Sequence, residues 1–346
     1  MNRYRQLHIG DYEEVVRCDN EDVGFSAWIA IHNSNRGPAL GGCRVWNYDS
    51  SDDALLDVLR LSRGMTYKNS LAQLPLGGGK CVVKIHPDRV DRVPLFEAVG
   101  RFVDTLEGRY ITAEDVNSTV KDMAVVKQCT SHVVTVGASG NPSPFTAFGV
   151  YCAIRAGVLH THGQTNLEGL RVSIQGVGET GSRLAKLLAS DGCILTVADI
   201  DQDNLWRLKN FIQVQVASPE EIHRLPCDVF SPCALGGILN RESIPELNCF
   251  IVAGSANNQL LDRSDGDLLH RRNIVYIPDY AANAGGVINI SCEIDREYDE
   301  DLAWEKTALI GETVAEILRR SSATDTPTSV VADTMAEELF VLEVPA

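Results

Sequence analysis

At 346 residues the chain exceeds the size at which one hydrophobic core keeps growing, so two domains are expected. Asp and Glu outnumber Lys and Arg by 47 to 31, a formal net charge of -16 that argues against nucleic acid, and no apolar run approaches the about 20 residues of a membrane span. The ten cysteines include no C-x-x-C pair and mostly sit in apolar contexts, and Met1 to His8 is followed by no apolar run of leader length, so a reducing, cytoplasmic location and no metal centre are expected.

In chain order, residues 26–31 and 82–85 read as strands, separated by a helix over 53–65 with Ser50, Ser51 or Asp52 as its cap. Residues 94–107 and 119–128 carry two more helical patterns, and the glycine-rich stretches 37–42 and 77–79 read as turns. The breaker cluster 137–144 marks a domain crossing, followed by a helix over 146–159. Strand and helix then alternate to about residue 290, the pattern of a parallel sheet with right-handed crossovers. Residues 299–320 and 331–343 read as terminal helices. The expected fold is α/β in two domains with a cleft between them. Residues 1–135, with a C-terminal helix from about 325 to 346 packing back, form a mixed-sheet substrate and oligomerisation domain; residues 136–324 form a Rossmann domain.

Within that second domain, the strand Arg171-Val172-Ser173-Ile174-Gln175 leads into Gly176-Val177-Gly178-Glu179-Thr180-Gly181 and then a helix burying Leu184, Leu187 and Leu188. A lone G-x-G-x-x-G is weak, but strand before and helix after make a dinucleotide fingerprint: a tight turn, close backbone approach to pyrophosphate, and close helix–strand packing. The free N–H groups of the helix start face the phosphates. A second strand, 194–198, ends at Asp199, 23 positions after Gly176, where an acid would hold a ribose 2′-hydroxyl and repel a 2′-phosphate. NAD is therefore expected rather than NADP.

The first domain must then supply a substrate anchor and an acid/base. Lys68 and Lys80, twelve positions apart, and Asp115 are the candidates. Pro75, Leu76, Cys81, Val82 and Val83 around Lys80 argue that its ammonium lies beside a packed strand rather than in solvent. Two nearby ammonium groups favour discharge of one, which leaves a general base and a cation for a substrate carboxylate. Asp115 is equally readable as a helix N-terminal acid before Asn117-Ser118-Thr119. Gly77-Gly78-Gly79-Lys80 is not a phosphate loop, because the required spacing meets Leu74 and Cys81.

Eight stretches carry a resemblance: Gly37-Pro38-Ala39-Leu40-Gly41-Gly42, Arg63-Gly64-Met65-Thr66-Tyr67-Lys68-Asn69, Leu76-Gly77-Gly78-Gly79-Lys80, Arg109-Tyr110-Ile111-Thr112-Ala113-Glu114-Asp115, Gly140-Asn141-Pro142-Ser143-Pro144, Ser231-Pro232-Cys233-Ala234-Leu235-Gly236, Ala256-Asn257-Asn258-Gln259 and Pro278-Asp279-Tyr280-Ala281-Ala282-Asn283-Ala284-Gly285-Gly286. In one order from about residue 25 to 290, they resemble the amino acid dehydrogenases acting on glutamate, leucine, phenylalanine, valine and tryptophan, most closely the leucine dehydrogenase branch. The resemblance implies reversible oxidative deamination of an L-amino acid to a 2-oxo acid, ammonium and NADH, by a homo-oligomer.

It further implies that Lys68 binds the α-carboxylate, Lys80 is the base activating water, and Asp115 exchanges a proton with the amino group. Asn257 or Asn258 then lies near nicotinamide and substrate, Thr146 by the carboxamide, and Cys233 and Ala234 on the cofactor side. Leu40 stands where glutamate-specific members carry a lysine, so an apolar substrate follows, with Gly41, Ala113, Val287 and Ser291 shaping the rest of the pocket. Branched aliphatic substrates are expected, with aromatic ones as the alternative. Ser291 replaces the branch's usual alanine, which predicts a slightly more polar pocket. Two rivals stand beside this reading. A 2-hydroxy acid dehydrogenase would use a His base, and only His32 and His86 lie near the motifs. A silent NAD sensor would have lost its chemistry, whereas both lysines and Asp115 are present.

Overall fold

The computed structural model describes residues 2–85, 91–134, 137, 139–294 and 297–341. The chain forms two compact units, one of Met1–Gly140, Glu293–Tyr298 and Ala336–Ala346, the other of Asn141–Cys292 and Asp299–Met335. The short return at Glu293–Tyr298 had no counterpart in the sequence reading, which placed those residues with the second domain. Glu293 supplies a reason for it: its Oε2 accepts the Ser139 N–H at 3.1 Å.

Unit 1 is built on β1 (Arg3–Leu7), β2 (Glu14–Asn20), β3 (Phe25–Asn33), β4 (Ala39–Trp46), α1 (Ser51–Leu71), β5 (Gly77–Ile85), α2 (Arg92–Asp104), β6 (Tyr110–Glu114) and α3 (Val120–Val126). Its six strands run in the order β1-β2-β3-β5-β4-β6. The first four in that order pair antiparallel, whereas β5, β4 and β6 are mutually parallel. Strand alternation sends Cys43, Val45, Cys81, Val83 and Tyr110 into one core with Phe96, Val99 and Phe102 of α2. Trp28 and Val82 point the other way, onto Ala54 and Val58 of α1.

The stretch 77–79 is strand rather than turn, and of 37–42 only Gly37 and Pro38 belong to the turn that precedes β4, Gly37 donating to Ser34 O at 2.9 Å. Gly77–Gly79 opens β5 and Gly41-Gly42 lies inside β4. The cause is close packing: a Cβ on Gly41 would sit 1.8 Å from Gly79 O, and one on Gly78 2.0 Å from Thr66 N of α1. Helix α1 also runs on to Leu71, six residues past the expected end. Its start is a capping box, Ser50 Oγ accepting the Asp53 N–H at 3.0 Å and Asp53 accepting the Ser50 N–H at 3.1 Å. Its last turns bury Thr66, Tyr67, Asn69 and Ser70, a polar face without apolar periodicity. Asn69 Nδ2 donates to Gly77 O at 2.6 Å, so a side-chain hydrogen bond ties this end of the helix to the bare strand backbone.

Unit 2 contains α4 (Ser143–His162), β7 (Arg171–Gln175), α5 (Glu179–Ser190), β8 (Ile194–Ala198), α6 (Gln202–Lys209), β9 (Gln215–Val216), β10 (Val229–Pro232), β11 (Ile251–Val252), α7 (Ser264–Arg271), β12 (Val275–Tyr276), α8 (Asp279–Ala282), α9 (Gly285–Ser291), α10 (Glu300–Ala308) and α11 (Ile310–Thr324). Its sheet is parallel throughout, in the order β12-β11-β10-β7-β8-β9. The chain moves outward from β7 through β8 to β9 and then returns to the other side of β7, so the strand order reverses between β7 and β10. The expected terminal helix 299–320 is in fact two, α10 and α11. The last, α12 (Thr328–Phe340), begins three residues before the expected 331, and from Ala336 it belongs to unit 1. There Tyr67 donates its hydroxyl to Glu337 at 2.5 Å, and Asn35 and Arg36 donate to the carbonyls of Phe340 and Leu339. Residues 342–346 lie outside the described residues. No helix among the described residues is long and apolar enough to cross a membrane.

Candidate active site

The parallel strands β4, β5 and β6 bring the substrate-side candidates of unit 1 together on their α1 face. Register pairs Leu40 with Gly78 and with Ile111, and Gly42 with Ala113. Period-2 alternation then sets Leu40, Lys80, Ala113 and Asp115 on the same side. Leu40 is 1% exposed and Lys80 5%. Gly41 takes another task, since its carbonyl accepts the Tyr110 hydroxyl at 2.5 Å. Lys68 is half-buried in the last turn of α1, between the buried Tyr67 and Asn69.

Lys80 does not sit in the purely apolar setting its sequence neighbours suggest. Its Nζ lies 3.2 Å from Asp115 Oδ1. The other carboxylate oxygen is held by Arg44, Nε to Oδ2 at 3.0 Å. Burial raises the Asp115 pKa, but the Lys80 ammonium and the Arg44 guanidinium more than reverse it and hold the carboxyl at about 2. Asp115 is also fixed through its backbone: its N–H donates to Ser118 Oγ at 2.8 Å, and that hydroxyl donates to Cys43 O at 2.7 Å. The helix-start reading of Asp115 gives way here, because Thr119 is the residue that caps α3. Arg44 is the participant that the motifs passed over. The signal was its position two residues past Gly42, on the Leu40 face of β4.

In unit 2 the cofactor candidates gather at the carboxyl ends of β7, β8 and β10, where the strand order reverses and α/β sheets bind ligands. Gly176 turns with φ +93°, a left-handed conformation, and a Cβ there would meet Ala234 N at 2.9 Å. Gly181 approaches Gly176 O so closely that a Cβ would lie 2.0 Å away, with Cys233 Cβ next at 3.2 Å. Gly178 has open space where its side chain would be. It also begins α5 without any side-chain cap, so the first N–H groups of that helix are not taken by a capping residue. The inner face of α5 buries Leu184, Ala185 and Leu188, while Leu187 is only half-buried. This open, uncapped cradle fits a dinucleotide diphosphate, with Gly176, Gly178, Glu179, Thr180 and Gly181 around it.

Asp199 follows β8, and its Oδ2 accepts the Val177 N–H at 2.7 Å while Oδ1 accepts the Asp201 N–H at 2.8 Å. The acid therefore fastens the glycine turn, which spacing alone did not reveal. Thr146 lies in the first turn of α4 against Gly286, donating to Pro142 O at 3.2 Å. Asn257 and Asn258 are exposed; Asn283 Nδ2 donates to Asn257 Oδ1 at 2.9 Å, and the Asn258 N–H to Asp279 Oδ2 at 2.9 Å. Val287 and Ser291 are on α9. The Ser291 hydroxyl donates to Ile288 O at 2.7 Å, which commits its hydrogen and leaves its oxygen as an acceptor. His32 is buried against Thr66, Nδ1 to Oγ1 2.9 Å, and burial with the Arg63 charge lowers its pKa to about 4. His86 lies outside the described residues.

The family profile described as Glu/Leu/Phe/Val dehydrogenase, dimerisation domain, matches residues 12–132, and that of the glutamate/leucine/phenylalanine/valine dehydrogenases matches 137–317. The chain belongs to the Glu/Leu/Phe/Val dehydrogenase family. This dehydrogenase is 44% identical to a leucine dehydrogenase of Geobacillus stearothermophilus over 98% of its own length and 93% of the relative's. Identity to a phenylalanine dehydrogenase of Thermoactinomyces intermedius is 40%, over 94% and 91%. The crystal structure of L-tryptophan dehydrogenase from Nostoc punctiforme superimposes with a TM-score of 0.85 at 39% identity, covering 96% of both chains. The protein is thus an amino acid dehydrogenase, an oxidoreductase that works with a nicotinamide cofactor.

Proposed function

We propose that this dehydrogenase is NAD-dependent and interconverts a branched-chain L-amino acid of leucine or valine type with its 2-oxo acid and ammonium, as a cytoplasmic homo-oligomer. The observation that carries the reading is the Lys80–Asp115 pair, 3.2 Å apart on a buried sheet face beside Leu40. The apolar wall of Leu40 and Ala113 offers nothing to a side-chain carboxylate. The leucine dehydrogenases among the similar proteins support the aliphatic choice; those acting on phenylalanine and tryptophan keep an aromatic substrate as the second reading. Asp199 beside the glycine turn favours NAD, since a carboxylate repels a 2′-phosphate.

A bound nicotinamide dinucleotide supplies the acceptor for the substrate's Cα hydride. The chain's own groups do the rest. Lys68 pairs with the α-carboxylate and fixes the substrate's orientation. Neutral Lys80 takes a proton from water as the water oxygen bonds to the iminium carbon; the Asp115 carboxylate relays that proton from the Lys80 ammonium to the departing nitrogen, and the hydroxyl proton of the collapsing carbinolamine returns to the neutral Lys80 amine.

Two measurements test this. NADH formation across L-leucine, valine, isoleucine, phenylalanine, tryptophan and glutamate should peak on a branched-chain member; a peak on an aromatic one would transfer the proposal to the second reading. Lys80→Ala should keep cofactor binding and lose roughly three orders of magnitude in turnover. A loss within about tenfold, about 1.4 kcal/mol of barrier, would remove Lys80 as the base.

A further inference from the structure

The Asp115 carboxylate is shared between two cations that differ in kind. Lys80 holds Oδ1 and Arg44 holds Oδ2. Arg44 is itself anchored, with Nη1 3.1 Å from Asp57 Oδ2, the same oxygen that accepts the Tyr48 hydroxyl at 2.6 Å. Arg60 reaches Asp57 Oδ1 at 3.3 Å. Positive and negative charges thus alternate from Lys80 through Asp115 and Arg44 to Asp57, with side chains 7, 22, 21 and 13% exposed.

We propose that Arg44 is a positioning residue for the reaction: it balances the Asp115 charge permanently, so that Lys80 is the cation of the cluster that becomes neutral and serves as base. This rests on the reading of Lys80 given above. The physical argument concerns what happens when Lys80 discharges. With Lys80 as its only partner, Asp115 would be left as a largely buried, uncompensated carboxylate, which is costly. A guanidinium keeps its proton in proteins, so Arg44 carries the counter-charge through that step while its fork fixes the carboxylate plane. The proton Lys80 gives up goes to solvent, and the neutral amine later regains one from the attacking water. Asp57 in turn draws part of the Arg44 charge away from Asp115, so it should act in the opposite sense.

The other groups around the cluster leave this balance standing. From α1 come Asp57, Arg60 and, further along, Lys68; Tyr48 comes from the loop after β4 and Glu114 adjoins Asp115. Tyr110 on β6 is pushed up by burial, and the Cys81 thiol on β5 by its hydrogen bond with the Cys43 thiol and by burial, so both stay neutral in the working range.

The test is the pH dependence of kcat/KM for oxidative deamination. In Arg44→Met the acidic limb should move up by about one pH unit, the scale of losing one adjacent charge. Arg44→Lys should recover most of that shift, and Asp57→Asn should move the limb down. A limb that stays in place in Arg44→Met while the plateau falls would make Arg44 merely structural and overturn the proposal. Should Arg44→Met not fold, Asp57→Asn decides alone: an unmoved or raised limb overturns it. Lys80→Ala separates the two layers, since a wild-type limb there removes Lys80 as the titrating base whatever the Arg44 variants do.

Discussion

Gly77–Gly79 and Gly176–Gly181 are both dense in glycine, yet the residue does different work in each. In the first, the backbone is extended strand with no positive φ among the three glycines, and every missing side chain makes room for another part of unit 1. In the second, Gly176 adopts a conformation closed to most residues, and the space beside Gly178 is left open. A glycine cluster therefore says that side chains are unwelcome. Only its surroundings say whether the protein fills the vacated space or leaves it for a ligand.

The sharpest way to break this contrast is Gly78→Ala. Its Cβ would press on the Thr66 backbone, 2.0 Å from N and 2.4 Å from Cα, and on Oγ1 at 2.2 Å. Destabilisation of about 3 kcal/mol or more is expected in denaturant titration; a native midpoint would mean that α1 does not depend on a bare strand. The same packing carries a pH dependence through His32, which partners Thr66. Its pKa falls from 6.5 to about 4 on folding, by burial first and Arg63 second. Between those values the unfolded chain binds a proton that the folded one refuses, so stability rises with pH across the window and falls on acidification. His32→Gln should flatten that slope by up to about 2 kcal/mol between pH 6.5 and 4.5, and an unchanged melting profile over that range would show that His32 takes its proton in the native fold.

On the ligand side the effects on stability should be smaller and those on binding larger. Asp199→Ala strips the Val177 N–H of its acceptor, so about 1 kcal/mol of stability should go with weaker NAD binding and a reduced preference over NADP. Retained selectivity would leave Asp199 only its fastening role. Gly178→Ala is the mildest case, within about 0.5 kcal/mol of wild type in stability. If its open space is where the diphosphate lies, NADH titrated by fluorescence should still bind about tenfold more weakly, and full affinity would place the diphosphate elsewhere.

Much of this was legible in the residues. The strand, glycine turn, helix and Asp199 of unit 2 lie where the fingerprint put them, because that motif specifies backbone geometry within a short local segment. Unit 1 was harder. Its glycine stretches looked like turns because glycine permits turns, whereas a need for close approach leaves no local mark. The end of α1 was missed because Thr66, Asn69 and Ser70 are polar residues buried against a bare strand, with Asn69 bonded to Gly77 O, and hydrophobic periodicity does not register such a face. Lys80 and Asp115 were found singly from apolar context and motif, but their pairing needs β5 and β6 folded on either side of β4. Arg44 was passed over because an arginine in a strand has the look of an edge or surface residue until its neighbours are known.

Ser291 closes α9 with its hydroxyl hydrogen committed to Ile288 O. Anything packed against it meets a methylene and an oxygen with no proton to offer. For selecting between ligands that carry acceptors and ligands that do not, such a serine behaves much as an alanine would. Two chains spelled differently at this position can therefore present the same chemical choice, and the alphabet overstates the distance between them.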